Sequence, residues 1–164
     1  MVFDTQTFKN IMSHWASGIA IITTGSPQGD YHGFTANSLA SVSIEPMLVS
    51  MSMAKTLSTA DAVLRNGVFT VNMLSDQQIY HAKVFAGMVP EVTHRFDGLQ
   101  YTIGGNGCPL FAGVIGYLEC RIFQTIDVGA STLVLGEVTN GAFTDDAQPL
   151  LYFHRQWGVF TPQP

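Results

Sequence analysis

The sequence is poor in charge. Of its 164 residues only 7 are Lys or Arg and 12 are Asp or Glu, so charged side chains make up 12% of the chain, about half the usual share of ~25%. With 46% apolar residues and so few charges to cover a surface, some apolar surface is expected to be buried in a second copy, as a homo-oligomer. The seven cations form no cluster and the net charge is -5, which excludes a surface built to track nucleic-acid phosphates. Cysteine is scarce: Cys108 and Cys120 stand alone, outside any Cys-x-x-Cys motif. Residues 1–10 contain no apolar signal core, so a reducing, cytoplasmic setting without a disulfide is expected. No stretch approaches the roughly 20 apolar residues of a spanning helix, so no membrane is expected. The five histidines are scattered without metal-ligand spacing, so no metal is expected. There is no Gly-x-Gly-x-x-Gly after a strand, no phosphate-binding P-loop and no Gly-x-Ser-x-Gly elbow, and no catalytic nucleophile is assigned. Repeats, low-complexity segments and linkers are also missing, which leaves residues 1–164 as a single domain.

What is present reads mostly as strand. Phe8, Ile11, Met12 and Trp15 recur at helical spacing, with Asp4 or Thr5 as cap and Gly18 as the end. Ile19 to Thr24 is a β-branched strand, Ser26 to Asp30 a turn, and Tyr31 to Ser38 the returning strand. Met47 to Met53 and Val68 to Leu74 are further strands. Between them lies a short helix through Arg65, closed by Asn66-Gly67. Ser75-Asp76 caps a second short helix to about Ala86. Residues 87–109 show no period and read as a long excursion, a length of loop that is often functional. Tyr117 to Ile126 alternates, with Leu118, Cys120 and Ile122 on one face and Glu119 and Arg121 on the other. Thr132 to Val138, Leu150 to Phe153 and Trp157 to Phe160 finish the sheet. Strands so numerous, with so few helices, predict a mainly β fold: an antiparallel β-barrel with peripheral short helices.

The chemistry concentrates in Gly33-Phe34-Thr35-Ala36-Asn37-Ser38-Leu39-Ala40-Ser41-Val42-Ser43, which carries four hydroxyls, one carboxamide and no charge. Such residues make a poor core and a good wall of neutral donors and acceptors for a polar, planar ligand. Ser50 and Ser52 follow, then Lys55, Ser58 and Thr59. A helix start with two hydroxyls and a nearby lysine suits a phosphate. The same hydroxyls also fit a plain capping role. Wall and seat together suggest a phosphate-bearing heterocycle.

At these residues the chain resembles the flavin reductase family, whose fold is the FMN-binding split barrel. The likeness runs from Phe8 to Phe160. It includes Gly18-Ile19-Ala20-Ile21-Ile22-Thr23-Thr24, the hydroxyl run, Glu45-Pro46, Phe69-Thr70-Val71-Asn72, Arg95-Phe96, Leu118-Glu119-Cys120, Gly136-Glu137-Val138 and Pro149-Leu150-Leu151-Tyr152. The resemblance implies a homodimer with FMN or FAD in a groove near the subunit interface. By position, Thr35, Ala36, Asn37, Ser38 and Ser41 would meet the ring, Ser52, Met53 and Ala54 would line it, and Lys55, Ser58 and Thr59 would hold phosphate. Phe85 and Ala86 would approach from the second short helix. It further implies hydride transfer from NADH or NADPH and release of reduced flavin to a partner monooxygenase, with the cofactors carrying the chemistry.

One departure stands out. Where the family often has Gly-Asp-His before the strand ending in Gly-Glu-Val, this chain reads Gly129-Ala130-Ser131. Ser131 carries no charge and Ala130 removes a carboxylate. An electron carrier that does not use nicotinamide, and a flavin enzyme acting on another substrate, therefore stand beside the reductase. Ser131, His154 and Trp157 are the expected residues on the nicotinamide or substrate side.

Overall fold

The computed structural model describes residues 3–162. Helix α1 (Thr5–Ser13) starts where the Asp4 carboxylate accepts the Thr7 N–H at 2.7 Å. It stops at His14, so Gly18 is not its end but part of the short strand β1 (Ser17–Gly18). Strands β2 (Ala20–Gly25) and β3 (Tyr31–Ala36) form the expected hairpin. They are followed by β4 (Ala40–Ile44), β5 (Met47–Ala54), helix α2 (Ser58–Asn66) and β6 (Val68–Met73). Gly67 closes α2 in the left-handed conformation (φ 71°), which glycine adopts without Cβ strain. A 3₁₀ turn (Asp76–Gln78) leads into α3 (Ile79–Phe85). Strands β7 (Tyr101–Ile103), β8 (Pro109–Phe111), β9 (Gly116–Val128), β10 (Ser131–Phe143), β11 (Leu150–Phe153) and β12 (Gln156–Val159) complete the chain. Among the described residues no helix is long and apolar enough to cross a membrane.

Seven strands make one antiparallel sheet in the order β3-β2-β6-β9-β10-β5-β4. The long β9–β10 hairpin carries register shifts beside Gly136 and Thr139. Such bulges add local twist and let a sheet curl on itself. Phe69, Val71, Ile22, Met51, Met53 and Val134 fill the concave side and are fully buried. A second apolar cluster forms outside the sheet, where Phe85, Phe111, Leu74 and Leu150 pack with Ile21.

The sequence-based expectation differs from the structure at further places. Strands β11 and β12 do not finish the main sheet; they pair with β1 in a separate three-stranded sheet. The excursion 87–109 is not structureless, because β7 and β8 pair near its end. Buried Asn72 ties β8 down: its amide donates to Thr23 Oγ1 at 3.1 Å and its carbonyl accepts the Phe111 N–H at 2.9 Å. Finally, Glu119 and Arg121, placed together on one face of β9, differ in burial, Arg121 being exposed and Glu119 buried. Glu119 is 4% exposed, against Gly104 and Gly105, and accepts the Asn140 amide at 2.8 Å. Its charge is accommodated by residues far away in sequence, which alternation along β9 does not reveal.

His81 on α3 sits edge-on to Phe111, ring centroids 5.7 Å apart, with Nδ1 buried and unbonded. Burial pushes its pKa below the ordinary imidazole value of 6.5. The unfolded chain therefore binds more protons there than the folded one. The stability this contributes is full above pH ~6.5 and is lost as pH falls toward the depressed folded value. Thermal melts between about pH 7.5 and 5.5 are expected to show a falling Tm. That slope should flatten in His81→Phe; an unchanged slope would assign it to other groups.

Candidate functional site

The hydroxyl run does not form one wall. Thr35, next to last in β3, donates its hydroxyl to the Ala82 carbonyl of α3 at 2.7 Å, so it serves as a tie to that helix. Ser38 is also engaged: its Oγ donates to the Ser52 carbonyl at 3.2 Å and accepts the Ser52 N–H at 3.0 Å, which locks the β3–β4 loop to β5. Ala36 and Met53 are buried, whereas Asn37, Ser41, Ser52 and Ala54 are exposed. Asn37 makes no side-chain hydrogen bond within the described residues and lines two neighbouring cavities. One, about 160 Å³, is bordered by Ile19, Thr35, Ala86, Met88, Tyr152 and Trp157. The other, about 350 Å³, runs past Trp15, Ser17, Leu39 and Met73. Ser17 Oγ in that second cavity is buried without a partner. A free carboxamide at the junction and an orphaned hydroxyl beyond it suit a planar ligand with polar edges.

A cavity of about 440 Å³ opens at the start of α2, lined by Tyr31, Gly33, Ser58, Thr59, His94 and Arg95, with His32 at its edge. Leu57, not Ser58 or Thr59, occupies the N-cap, and no side chain caps the helix. Thr59 is buried because its hydroxyl donates to the Gly33 carbonyl at 3.2 Å. The Arg95 guanidinium donates to that same carbonyl at 3.2 Å and to Phe85 O at 3.4 Å. Gly33 thus joins α2, the end of α3 and the excursion. His32 Nε2 is buried 3.0 Å from Asp30 Oδ2 without hydrogen-bond geometry. A helix start, a guanidinium and two imidazoles are a donor set for an anion.

Lys55 does not belong to this cavity. Its Nζ lies 3.3 Å from Asp127 Oδ1, and its N–H bonds Ala130 O at 3.0 Å. The β5–β10 register sets Ala54 opposite Ser131, so the chain after β5 passes the β9–β10 turn before reaching α2. Arg95 supplies the cation that Lys55 was expected to supply. Arg95 is not among the site residues expected from the sequence, although it is one of only seven Lys and Arg residues and stands in the Arg95-Phe96 pair that carries part of the family likeness.

The three residues expected on the nicotinamide side are dispersed. Trp157 packs tilted against Tyr152, centroids 4.9 Å apart, on the smaller cavity beside Thr35 and Asn37. Ser131 opens β10, opposite Ala54 and Val128. His154 sits in the β11–β12 turn against His14. Neither thiol enters the site. Burial pushes Cys120 up to about 12 and raises Cys108 as well, so both are inert side chains of the interior.

The family model described as "Flavin reductase like domain" matches residues 12–160. The chain belongs to this family. An "FMN reductase (NADH) SmoA" from Agrobacterium fabrum is 32% identical over 161 residues, covering 98% of this chain and 88% of that protein. The "Flavin-dependent monooxygenase, reductase subunit HsaB" from Rhodococcus jostii is 28% identical, covering 97% of this chain and 80% of that protein. The solved "NADH:FAD oxidoreductase SgcE6" from Streptomyces globisporus superposes with a TM-score of 0.90 at 28% identity, covering 99% of this chain and 98% of that one. The chain spans half the length of a Rhizobium meliloti relative, which is 32% identical over 162 residues. The seven-stranded sheet with short helices is the split barrel expected from the sequence. The residues present fit a flavin reductase: Asn37 and the orphaned Ser17 hydroxyl offer neutral partners, and Arg95 with the start of α2 offers an anion seat.

Proposed function

We propose that this chain is an NADH-dependent flavin reductase, one domain over residues 1–164, that reduces FMN or FAD and passes reduced flavin to a partner monooxygenase. The observation that carries the reading is the pairing of a neutral polar site at Asn37 with a cavity whose donors at Ser58, Thr59 and Arg95 suit an anion, at the two ends of β3. Asn37 meets a ring edge, and Ala86 and Trp157 border the ring's cavity. Ser58, Thr59 and Arg95 hold phosphate. Ala36, Met53 and Phe85 back the site from the core, while Ser38 and Ser52 hold the loop that carries Asn37. Ser41 and Ala54 lie on exposed strand positions that face a second copy or the ligand. Bound flavin supplies the hydride acceptor. The chain orients and shields it, so no acid or base of its own is required.

Anaerobic titration of the purified chain with NADH in the presence of FMN or FAD is expected to bleach the flavin absorbance. If neither flavin is reduced by NADH or NADPH, the reductase reading is wrong. The departure at Gly129-Ala130-Ser131 favours a second reading, a flavin-bound electron carrier. A tightly held yellow cofactor reducible by a protein donor, but not by either nucleotide, would establish it.

The active form is a homodimer. Helix α1 buries none of its residues, and Phe8, Ile11 and Met12 lie exposed on it. Ile44 on β4 and Phe143 on β10 are 88% and 80% exposed. Apolar side chains so placed are expected to be covered by a second copy. Ile44→Lys combined with Phe143→Lys should shift the mass seen by light scattering from dimer to monomer. A native chain that is monomeric at assay concentrations would refute the dimer.

A further inference from the structure

His154 and Arg155 form the two-residue turn of β11–β12, and both take left-handed backbone angles, φ 51° and 61°. Such turns ordinarily use Asn or Gly, so two consecutive side-chain-bearing residues here carry strain, a mark of functional positions. The turn places His154 over the end of α1. Its ring lies tilted on His14 with centroids 4.5 Å apart, and its N–H donates to Ser13 O at 2.7 Å. Arg155 reaches Asn10 Oδ1 at 2.9 Å. Asn10, Ser13, His14, His154 and Arg155 together line a cavity of about 330 Å³. None of them borders the cavities assigned to flavin.

We propose that His14 and His154 bind a divalent transition-metal ion of the zinc class across the α1–hairpin junction. His14 Nδ1 lies 2.8 Å from the Asn10 carbonyl. A carbonyl oxygen only accepts, so Nδ1 carries the hydrogen and Nε2 keeps the lone pair that a metal needs. A backbone carbonyl behind the distal nitrogen is the usual support of a metal-bound imidazole. The site also stands at the C-terminal end of α1, where the helix dipole favours a cation and offsets the Arg155 charge. Among the described residues no three His, Cys, Asp or Glu side chains group as metal ligands. The protein therefore offers two nitrogens, and water fills the remaining positions of an exchangeable ion.

The test is calorimetric titration of the full chain with Zn²⁺ after treatment with a chelator, near neutral pH. Saturable binding of one ion per chain is expected, lost in His14→Ala and in His154→Ala, with both variants checked for an unchanged melting curve. Cu²⁺ bound to the native chain should show coupling to two imidazole nitrogens in its paramagnetic resonance spectrum. If the His14→Ala variant proves unstable, His154→Ala and the Cu²⁺ spectrum carry the test. The proposal falls if the native chain shows no saturable binding. It also falls if binding persists in the variants, which would place the ion elsewhere on the chain.

Discussion

Arg95→Ala is expected to weaken FMN and FAD binding by about 10- to 100-fold, the loss of one or two charge-assisted hydrogen bonds worth ~1.5–3 kcal/mol. The guanidinium lines the cavity at Ser58 and Thr59 while bonding the carbonyls of Gly33 and Phe85. These two tasks separate by experiment. Riboflavin has the ring and no phosphate. If Arg95 holds phosphate, riboflavin affinity should barely move in Arg95→Ala. If Arg95 only props up β3, riboflavin and FMN should weaken together. Arg95→Lys keeps the charge and loses the planar guanidinium whose Nη1 bonds both carbonyls, so it should recover part of the FMN affinity. Fluorescence titration with both ligands reads all of these outcomes, and an unaltered FMN affinity in Arg95→Ala would remove Arg95 from the site.

Gly33→Ala should damage stability and binding together. A Cβ at Gly33 would lie 2.7 Å from the Phe85 ring and 3.2 Å from Ile22 O. Phe85 cannot easily yield, because it is buried against Phe96 and Phe111 with centroids 5.0 and 5.4 Å away. Overpacking of this kind costs about 1–3 kcal/mol, a fall of several degrees in Tm for a chain of this size. Displacing Phe85 also moves the carbonyl that Arg95 holds, so FMN affinity should drop alongside. A variant with native Tm and native affinity would show that the node tolerates a methyl group. Phe85→Leu in the Gly33→Ala background should restore part of the Tm by making room for the added carbon.

The parts of this molecule legible in sequence are those governed by near neighbours. Asp4 caps α1 and Gly67 ends α2 because each acts within one helical turn. The β2–β3 and β9–β10 hairpins follow from turns flanked by β-branched runs. Strand β4 escaped notice because it is an exposed edge strand with a single partner, so its side chains show no inside–outside alternation. Lys55 is close to Ser58 in sequence but not in space, because Asp127 on a distant strand pairs with it. Arg95 lies in a segment without period, and only the folded chain brings it back to Gly33. The hydroxyl side chains of the run stay out of the core, as their polarity predicts, although Phe34 and Ala36 between them are buried in it. That Thr35 and Ser38 would spend their hydroxyls on backbone carbonyls depends on α3 and β5, which the run itself does not encode.

The two buried thiols have a practical consequence. Cys108 and Cys120 are each at most 1% exposed, and burial keeps both protonated at neutral pH. Maleimides react with the thiolate, so the folded native chain should resist such labels. Ala130→Cys, on the exposed tip of the β9–β10 hairpin, would then be its single reactive position. A fluorophore attached there would report on encounters of that hairpin with another protein, and its signal would need no correction for the native cysteines.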